Sequence, residues 1–157
     1  MYPYMRNECE QEEFNELFDI ASGLFSKWRS KRQKTADSLV KIGKKAVRPL
    51  MFVLHCEYVS DGSDEDYTKM CEEVESILVK IGKDALPDLE DIATNGECLI
   101  PICEFAQEAI FAVMGLEGDD RKKVCHHWAR YLCKNGEKKV WKCIFCDTEF
   151  EYEGEGK

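Results

Sequence analysis

Apolar residues between Phe14 and Met114 recur three and four positions apart, the spacing that gathers side chains on one face of an α-helix. Phe14, Leu17, Phe18, Ala21, Leu24, Phe25 and Trp28 predict an N-terminal helix, or a pair of helices broken near Ser22-Gly23. Leu39 and Ile42 form a stripe before Gly43, and Val47, Leu50, Val53 and Leu54 form another after it. The alternation returns with Val74, Ile77, Leu78 and Ile81 before Gly82, then Leu86, Leu89, Ile92 and Ala93. Phe105, Ala106, Ala109, Ile110, Val113 and Met114 make one more stripe, closed by Gly115. Beyond it the period changes. Trp128–Cys133 and Lys138–Cys143 are β-prone runs on either side of Asn135-Gly136, a dipeptide suited to a type I′ hairpin because both turn positions need positive φ.

Two of these stripes belong to one repeat. The hexapeptide Leu39-Val-Lys-Ile-Gly-Lys44 returns as Leu78-Val-Lys-Ile-Gly-Lys83 at an offset of 39 residues, and the match continues with Ala46/Ala85, Val47/Leu86, Leu50/Leu89 and Val53/Ile92. Each copy reads as two helices around a glycine, with Gly82 expected to end its helix in the left-handed conformation that lacks a side-chain clash. Pro87 falls in the first turn of the following helix, where its missing N–H costs little, and Pro49 lies slightly later in the other copy. The acidic segment Asp61–Asp66 is expected to be the loop between copies, and Thr94-Asn-Gly96 closes the second. The stripe ending at Gly115 reads as a third, weaker copy with Gly115 in the place of Gly82 and no clear second helix. A lone hairpin cannot bury its stripe, so the units are expected to stack.

These residues resemble HEAT-like repeats, especially the short repeats of phycobilisome-lyase relatives, whose pattern is an alanine- and leucine-rich helix followed by I-G-x-x-x-A-x-x-x-L. Here the pattern stands as Ile42-Gly43, Ala46 and Leu50, and again as Ile81-Gly82, Ala85 and Leu89. The resemblance spans residues 35–116. It implies a mainly α fold, a short α-solenoid of helical hairpins that acts as a binding scaffold, and it implies no particular activity. The 39-residue offset is longer than usual for the short class, and Asp61–Asp66 accounts for the excess.

Composition adds charge segregation. The 157 residues hold 31 acidic and 22 basic side chains, a net charge of −9. Residues 27–48 nevertheless carry nine bases and one acid, Asp37, and residues 121–146 carry eight bases and one acid, Glu137. Between them, residues 49–120 hold 18 acids and three bases. Such blocks are either solvated helix faces or a surface that steers a polyanion or an acidic protein. No apolar run approaches the roughly 18 residues of a spanning helix, and the opening MYPYMRNECEQEE is acidic without an apolar h-region. The expectation is a cytoplasmic chain with no membrane partner.

Nine cysteines, an odd number with no export signal, point to a reducing compartment and metal binding, not to disulfides. Cys9, Cys56, Cys71, Cys98 and Cys103 are expected to pack as small hydrophobes. Cys125, Cys133, Cys143 and Cys146 crowd together. Pairing Lys134 with Glu137 across the Asn-Gly turn sets Trp128 opposite Cys143 and brings Cys125 and His127 near Cys143 and Cys146, four donors suited to tetrahedral Zn²⁺. The pattern C-x-H, then W-K-C-x-x-C, resembles zinc-ribbon modules with a tryptophan beside the first ligand pair. That resemblance implies Cys125 and His127 as one pair and Cys143 and Cys146 as the other, with Asp147 where the family often has glycine. His126 in place of His127, Cys133 in place of either, and a redox pair at Cys143 and Cys146 stay open as alternatives. Four protein ligands leave no open coordination position, so the zinc is structural and stabilises a zinc-bound β-hairpin too small for a core.

Arg130, Lys134, Lys138, Lys139 and Lys142, interleaved with Trp128, Tyr131 and Trp141, suit a nucleic-acid backbone and base stacking. The competing reading packs the tryptophans against the helical body and leaves the lysines to protect a β-edge. Two function classes follow. One is a non-enzymatic scaffold for a protein or peptide partner, with a structural zinc site. The other is a nucleic-acid-associated protein using the hairpin and the basic 27–48 segment. Catalysis is not expected, because His55, Glu57, Glu72 and Glu75 are scattered and His55 fits a hydrogen-bonded helix-end histidine better than a base. The expected organisation is an N-terminal helical cap over 1–34, HEAT-like repeats over 35–120, a zinc-ribbon-like module over 121–150 and a disordered acidic tail over 151–157.

Overall fold

The structure, a computed structural model, describes residue 4 and residues 11–95, 97–116, 129–135, 138–143 and 149–152. It is mainly α. The helices are α1 (Gln11–Ala21), α2 (Arg29–Ile42), α3 (Val47–Val59), α4 (Asp64–Ile81), α5 (Leu86–Thr94) and α6 (Ile100–Met114). Their apolar stripes meet in one core, where Leu39, Leu50, Leu54, Leu78, Leu89, Ile92 and Ile110 are fully buried. α2 packs beside α4 and α4 beside α6, while α1 packs beside α3 and α3 beside α5. The helices thus form two rows with the core between them.

The two repeat copies share one backbone path. Gly43 has φ 77° and ψ −139°, Gly82 has φ 82° and ψ −151°, and each glycine N–H donates to the carbonyl of the leucine four residues back, Leu39 or Leu78. A 3₁₀ turn follows each, Gly43–Ala46 and Gly82–Ala85, and runs directly into the next helix. The expected left-handed cap is therefore not what Gly82 adopts. Its positive φ is combined with an extended ψ, a region open almost exclusively to glycine, because the chain must leave the helix and re-enter a 3₁₀ turn at once. Gly115, with φ 69° and ψ 29°, is a left-handed cap, so it does not repeat the conformation of Gly82.

The acidic segment between the copies also differs from expectation. Asp64, Glu65 and Asp66 are the first turn of α4, and the Ser63 hydroxyl caps it by accepting from the Asp66 N–H at 3.2 Å. Carboxylates at this end and Lys80 at the other both complement the helix dipole. The connection shrinks to Ser60–Ser63, and the acidic run serves to start a helix.

Three antiparallel strands lie in the order β1 (Ala129–Asn135), β2 (Lys138–Cys143) and β3 (Glu149–Tyr152). Asn135 pairs with Lys138, so the two intervening residues are Gly136 and Glu137, one position later than the Asn-Gly signal predicts. A bulge between Tyr131 and Cys133 takes back one residue, and Cys143 pairs with Ala129 instead of Trp128. Glu151 and Tyr152 belong to β3, whose Glu-Phe-Glu-Tyr alternation has the period of a strand.

A Cβ built at Gly43, Gly82 or Gly115 meets nothing within 4 Å, so substitution there is opposed by backbone conformation alone. Gly82→Ala and Gly82→Asn are both expected to lose about 1–3 kcal/mol in urea unfolding. Asparagine tolerates the left-handed region, so Gly115→Asn is expected to lose well under half as much. Equal losses at both sites would contradict the distinction.

Candidate interaction surfaces

Arg48 links the two repeat copies inside the body. Its Nε donates to Asp88 Oδ1 at 2.9 Å and its Nη2 to Asp91 Oδ2 at 2.5 Å, joining α3 to α5, and Nη1 reaches the Tyr4 carbonyl at 3.5 Å. Arg48 and Asp88 are both buried, whereas Asp91 is exposed. Burial opposes the charge on Arg48, and hydrogen bonds and attraction from Asp91 and Asp88 outweigh it, leaving the guanidinium pKa raised. A pair of this kind fixes relative position more than it adds net stability, since desolvation consumes most of the attraction.

Nearby, Tyr4 Oη lies 3.0 Å from His55 Nδ1. Burial pushes the Tyr4 phenol pKa up, with the Cys98, Cys103 and Cys56 thiols adding to the shift, so the phenol stays protonated and donates to the imidazole. Burial also holds His55 below its ordinary value, which keeps the ring neutral and able to accept. Cys56, Cys71, Cys98 and Cys103 are free thiols in the helical body. The Cys103 thiol donates weakly to the carbonyls of Asn95 and Cys98, at 3.6 and 3.7 Å.

An open groove of about 680 Å³ runs between α4 and α6. Tyr67, Cys71, Val79, Pro101 and Phe105 supply its apolar surface, and Glu72, Glu75, Glu104 and Glu108 stand along it, with Lys80 as the one base among the described residues lining it. On α4 the lining residues follow helical spacing, so one continuous ridge is presented. Val79 is 45% exposed and Ile100, next to Pro101, is 58% exposed. Tyr58, also exposed, meets Tyr67 edge-on at 5.4 Å and extends the apolar strip beyond the groove.

The basic 27–48 block resolves into two populations. Arg32 pairs with Glu73 at 2.9 Å, Lys45 with Glu13 at 2.6 Å, and Arg48 is the buried link. Lys31, Lys34 and Lys41, with Ser38 between them, follow i, i+3, i+7, i+10 spacing and form an exposed ridge along α2. The N-terminus of α2 breaks the rule that α4 obeys. Its N-cap is Trp28 with no side-chain hydrogen bond, and its first turn has no acid. Cations there oppose the helix dipole. Trp28 is 65% exposed, and the Lys27 ammonium lies 5.3 Å from its ring centroid.

Of the expected zinc ligands, Cys125, His127 and Cys146 lie outside the described residues, and Cys143 is described only as the last residue of β2. The alternatives divide likewise: His126 lies outside, and Cys133 is placed only as a register position in β1. Among the described residues no three His, Cys, Asp or Glu side chains are grouped to hold a metal. Arg130 pairs with Lys142 and Lys134 with Lys139 across the β1–β2 ladder, and Lys138 pairs with Asn135. The register also puts Tyr131, Trp141 and Phe150 in one cross-strand row. Among the described residues no helix is long and apolar enough to cross a membrane. Sequence reasoning missed the groove and the Arg48 link; the signal for the link was a basic and an acidic residue at otherwise apolar positions about one repeat apart. Comparison with protein-family models, with curated proteins and with solved structures gave no match.

Arg48→Met removes the buried guanidinium that Asp88 and Asp91 share and is expected to cost about 3 kcal/mol in chemical denaturation. Arg48→Met combined with Asp88→Leu is expected to cost less than Arg48→Met alone, since the buried carboxylate is removed together with the buried cation. A double variant worse than Arg48→Met would contradict the account. His55 gives a pH dependence of definite sign. Its folded pKa lies below its ordinary value of 6.5, so the unfolded chain binds more protons and stability falls as pH drops through 6.5. The Tm is expected to decline between pH 7.5 and 5.5, with a shallower slope in His55→Gln.

Proposed function

We propose that the chain is a non-enzymatic interaction scaffold, a short HEAT-like α-solenoid carrying a C-terminal module clamped by structural Zn²⁺. The observation that carries this reading is the shared unit of the two copies, helix, extended-ψ glycine, 3₁₀ turn and helix, stacked so that a groove opens between α4 and α6. Repeating units of this type expose long ridged surfaces, which suit binding more than turnover. His55 is engaged by Tyr4, Glu57 lies on α3, and Glu72 and Glu75 line the groove on α4.

For the metal, the supporting observation is the pairing of Ala129 with Cys143 at one end of the ladder. Cys125 and His127 precede Ala129 by four and two residues, and Cys146 follows Cys143 by three, so both proposed ligand pairs border the same end of the β1–β2 hairpin in sequence. Thiolate and imidazole donors in this set suit Zn²⁺, and its role would be to lend folding energy to a small sheet.

A second reading, nucleic-acid association through α2 and the hairpin lysines, is favoured by the rule-breaking start of α2. A helix that places unpaired cations where its own dipole disfavours them is stabilised by an anion brought from outside. The two readings separate by cross-linking. A photoreactive residue at position 79 or 34, in extracts of the cells that make the protein, is expected to capture protein; capture of nucleic acid alone at position 34 would favour the second reading. In the second reading, binding to mixed-sequence DNA or RNA weakens steeply with salt, and Lys31→Glu with Lys34→Glu flattens the slope.

Purified protein is expected to contain one equivalent of zinc, lost in Cys143→Ser. Chelation is expected to expose thiols to an alkylating dye while helical circular dichroism stays nearly unchanged, because among the described residues the helical core draws on residues up to Leu116. Metal-free protein with inert thiols would remove the zinc module.

A further inference from the structure

We infer that the exposed face of α2, with Trp28 at its start, binds a short acidic segment of a protein partner that carries an aromatic anchor. The inference rests on the scaffold reading and specifies the chemistry of one partner. Lys31, Lys34 and Lys41 are exposed, and none of them forms an ion pair among the described residues. Asp37, the one acid of α2, accepts from Gln33 at 3.0 Å. Other bases of the same block behave differently: Arg32, Lys45 and Arg48 each meet a carboxylate.

Trp28 gives this surface an apolar end, and its backbone is held in place. Its N–H donates to Ser26 Oγ at 3.2 Å and its carbonyl accepts from the Arg32 N–H at 3.1 Å. Arg32, tied to Glu73, donates from Nη1 to the Ser26 carbonyl at 2.9 Å. The indole nevertheless stands in water, with the Lys27 ammonium 5.3 Å from its centroid, and Phe25 is exposed as well. A fixed corner that presents a tryptophan to solvent is preorganised for contact, so binding orders little.

Charge selects the occupant, and the neighbouring helices limit its length. Carboxylates meet the lysines and complement a first turn of α2 that has bases and no acid. α2 packs beside α1 and α4. The charged residues of α1 are Glu12, Glu13, Glu16 and Asp19, all exposed, and α4 holds six acids against two bases. A long polyanion laid on α2 meets the carboxylates of these adjoining helices, whereas a segment no longer than the lysine ridge does not. From Trp28 to Lys41 the helix rises about 20 Å, which about six extended residues span.

The test is a fluorescence anisotropy titration of the full chain in dilute buffer with a labelled peptide of about six glutamates and a phenylalanine at each end. Lys31→Gln with Lys34→Gln is expected to weaken binding about tenfold, and Trp28→Ala about fivefold. Lys80→Gln with Lys83→Gln removes the same charge from exposed positions outside α2 and is expected to change affinity less than about twofold. Losing a base from the first turn of α2 suits its dipole, so the Lys31 and Lys34 pair is expected to keep the parent Tm or exceed it, which separates lost binding from lost folding. No saturable binding, equal weakening by the Lys80 and Lys83 pair, or undiminished binding by Trp28→Ala would each overturn the inference. Tighter binding of a single-stranded oligonucleotide of equal charge, or self-association of the chain abolished by Lys31→Gln with Lys34→Gln, would overturn it too. Protein cross-links at position 79 with none at position 34 would also overturn it while leaving the scaffold reading intact.

Discussion

Two helices joined in a hairpin bury their apolar stripes against their neighbours only if the chain between them turns through a set angle. In this protein that turn is made twice by a glycine with positive φ and extended ψ, followed at once by a 3₁₀ turn. The conformation is closed to other residues by backbone sterics, so the angle does not drift with side-chain repacking. Everything larger follows from it. The helices fall into rows, α2, α4 and α6 on one side and α1, α3 and α5 on the other, and the surface between α4 and α6 becomes a trough.

Within that frame, charge is used in three different ways. At the start of α4 the acids are structural: they complement a helix dipole and adjoin a serine cap. At Arg48 charge is internal, and the ion pair with Asp88 ties the copies together at a desolvation cost that a purely apolar contact would avoid. At the start of α2 charge does neither. The first turn of α2 carries bases and no acid, against its own helix dipole, which is the pattern of a surface shaped for something other than folding.

The helices were legible because their stripes have a period that no other element shares, and the repeat was legible because six residues recur unchanged. The Arg48–Asp88 link was not. At the 39-residue offset Arg48 aligns with Pro87 and Asp88 with Pro49, so the pair forms where the copies diverge and no internal comparison would expose it. The acidic run at Asp64 was read as a loop because charge density outweighed the Ser63 cap signal just before it. The groove depends on which outward residues of two separate helices align, and a one-dimensional pattern carries no such information. In the sheet, Asn-Gly marked the hairpin, but the turn falls one position later and a bulge near Tyr131 takes back only part of the displacement, so the partner of Cys143 differs by one residue. A bulge leaves no trace in alternation that short.

The row α2, α4, α6 also has an electrical direction. Lys31, Lys34 and Lys41 lie on its first helix, and the carboxylates of the trough lie along its last two. The helical body is therefore a permanent dipole transverse to its helices, and a charged visitor exerts a torque on it before touching it. In about 0.1 M salt this orienting reach is only some 10 Å, whereas at about 0.01 M it extends to some 30 Å.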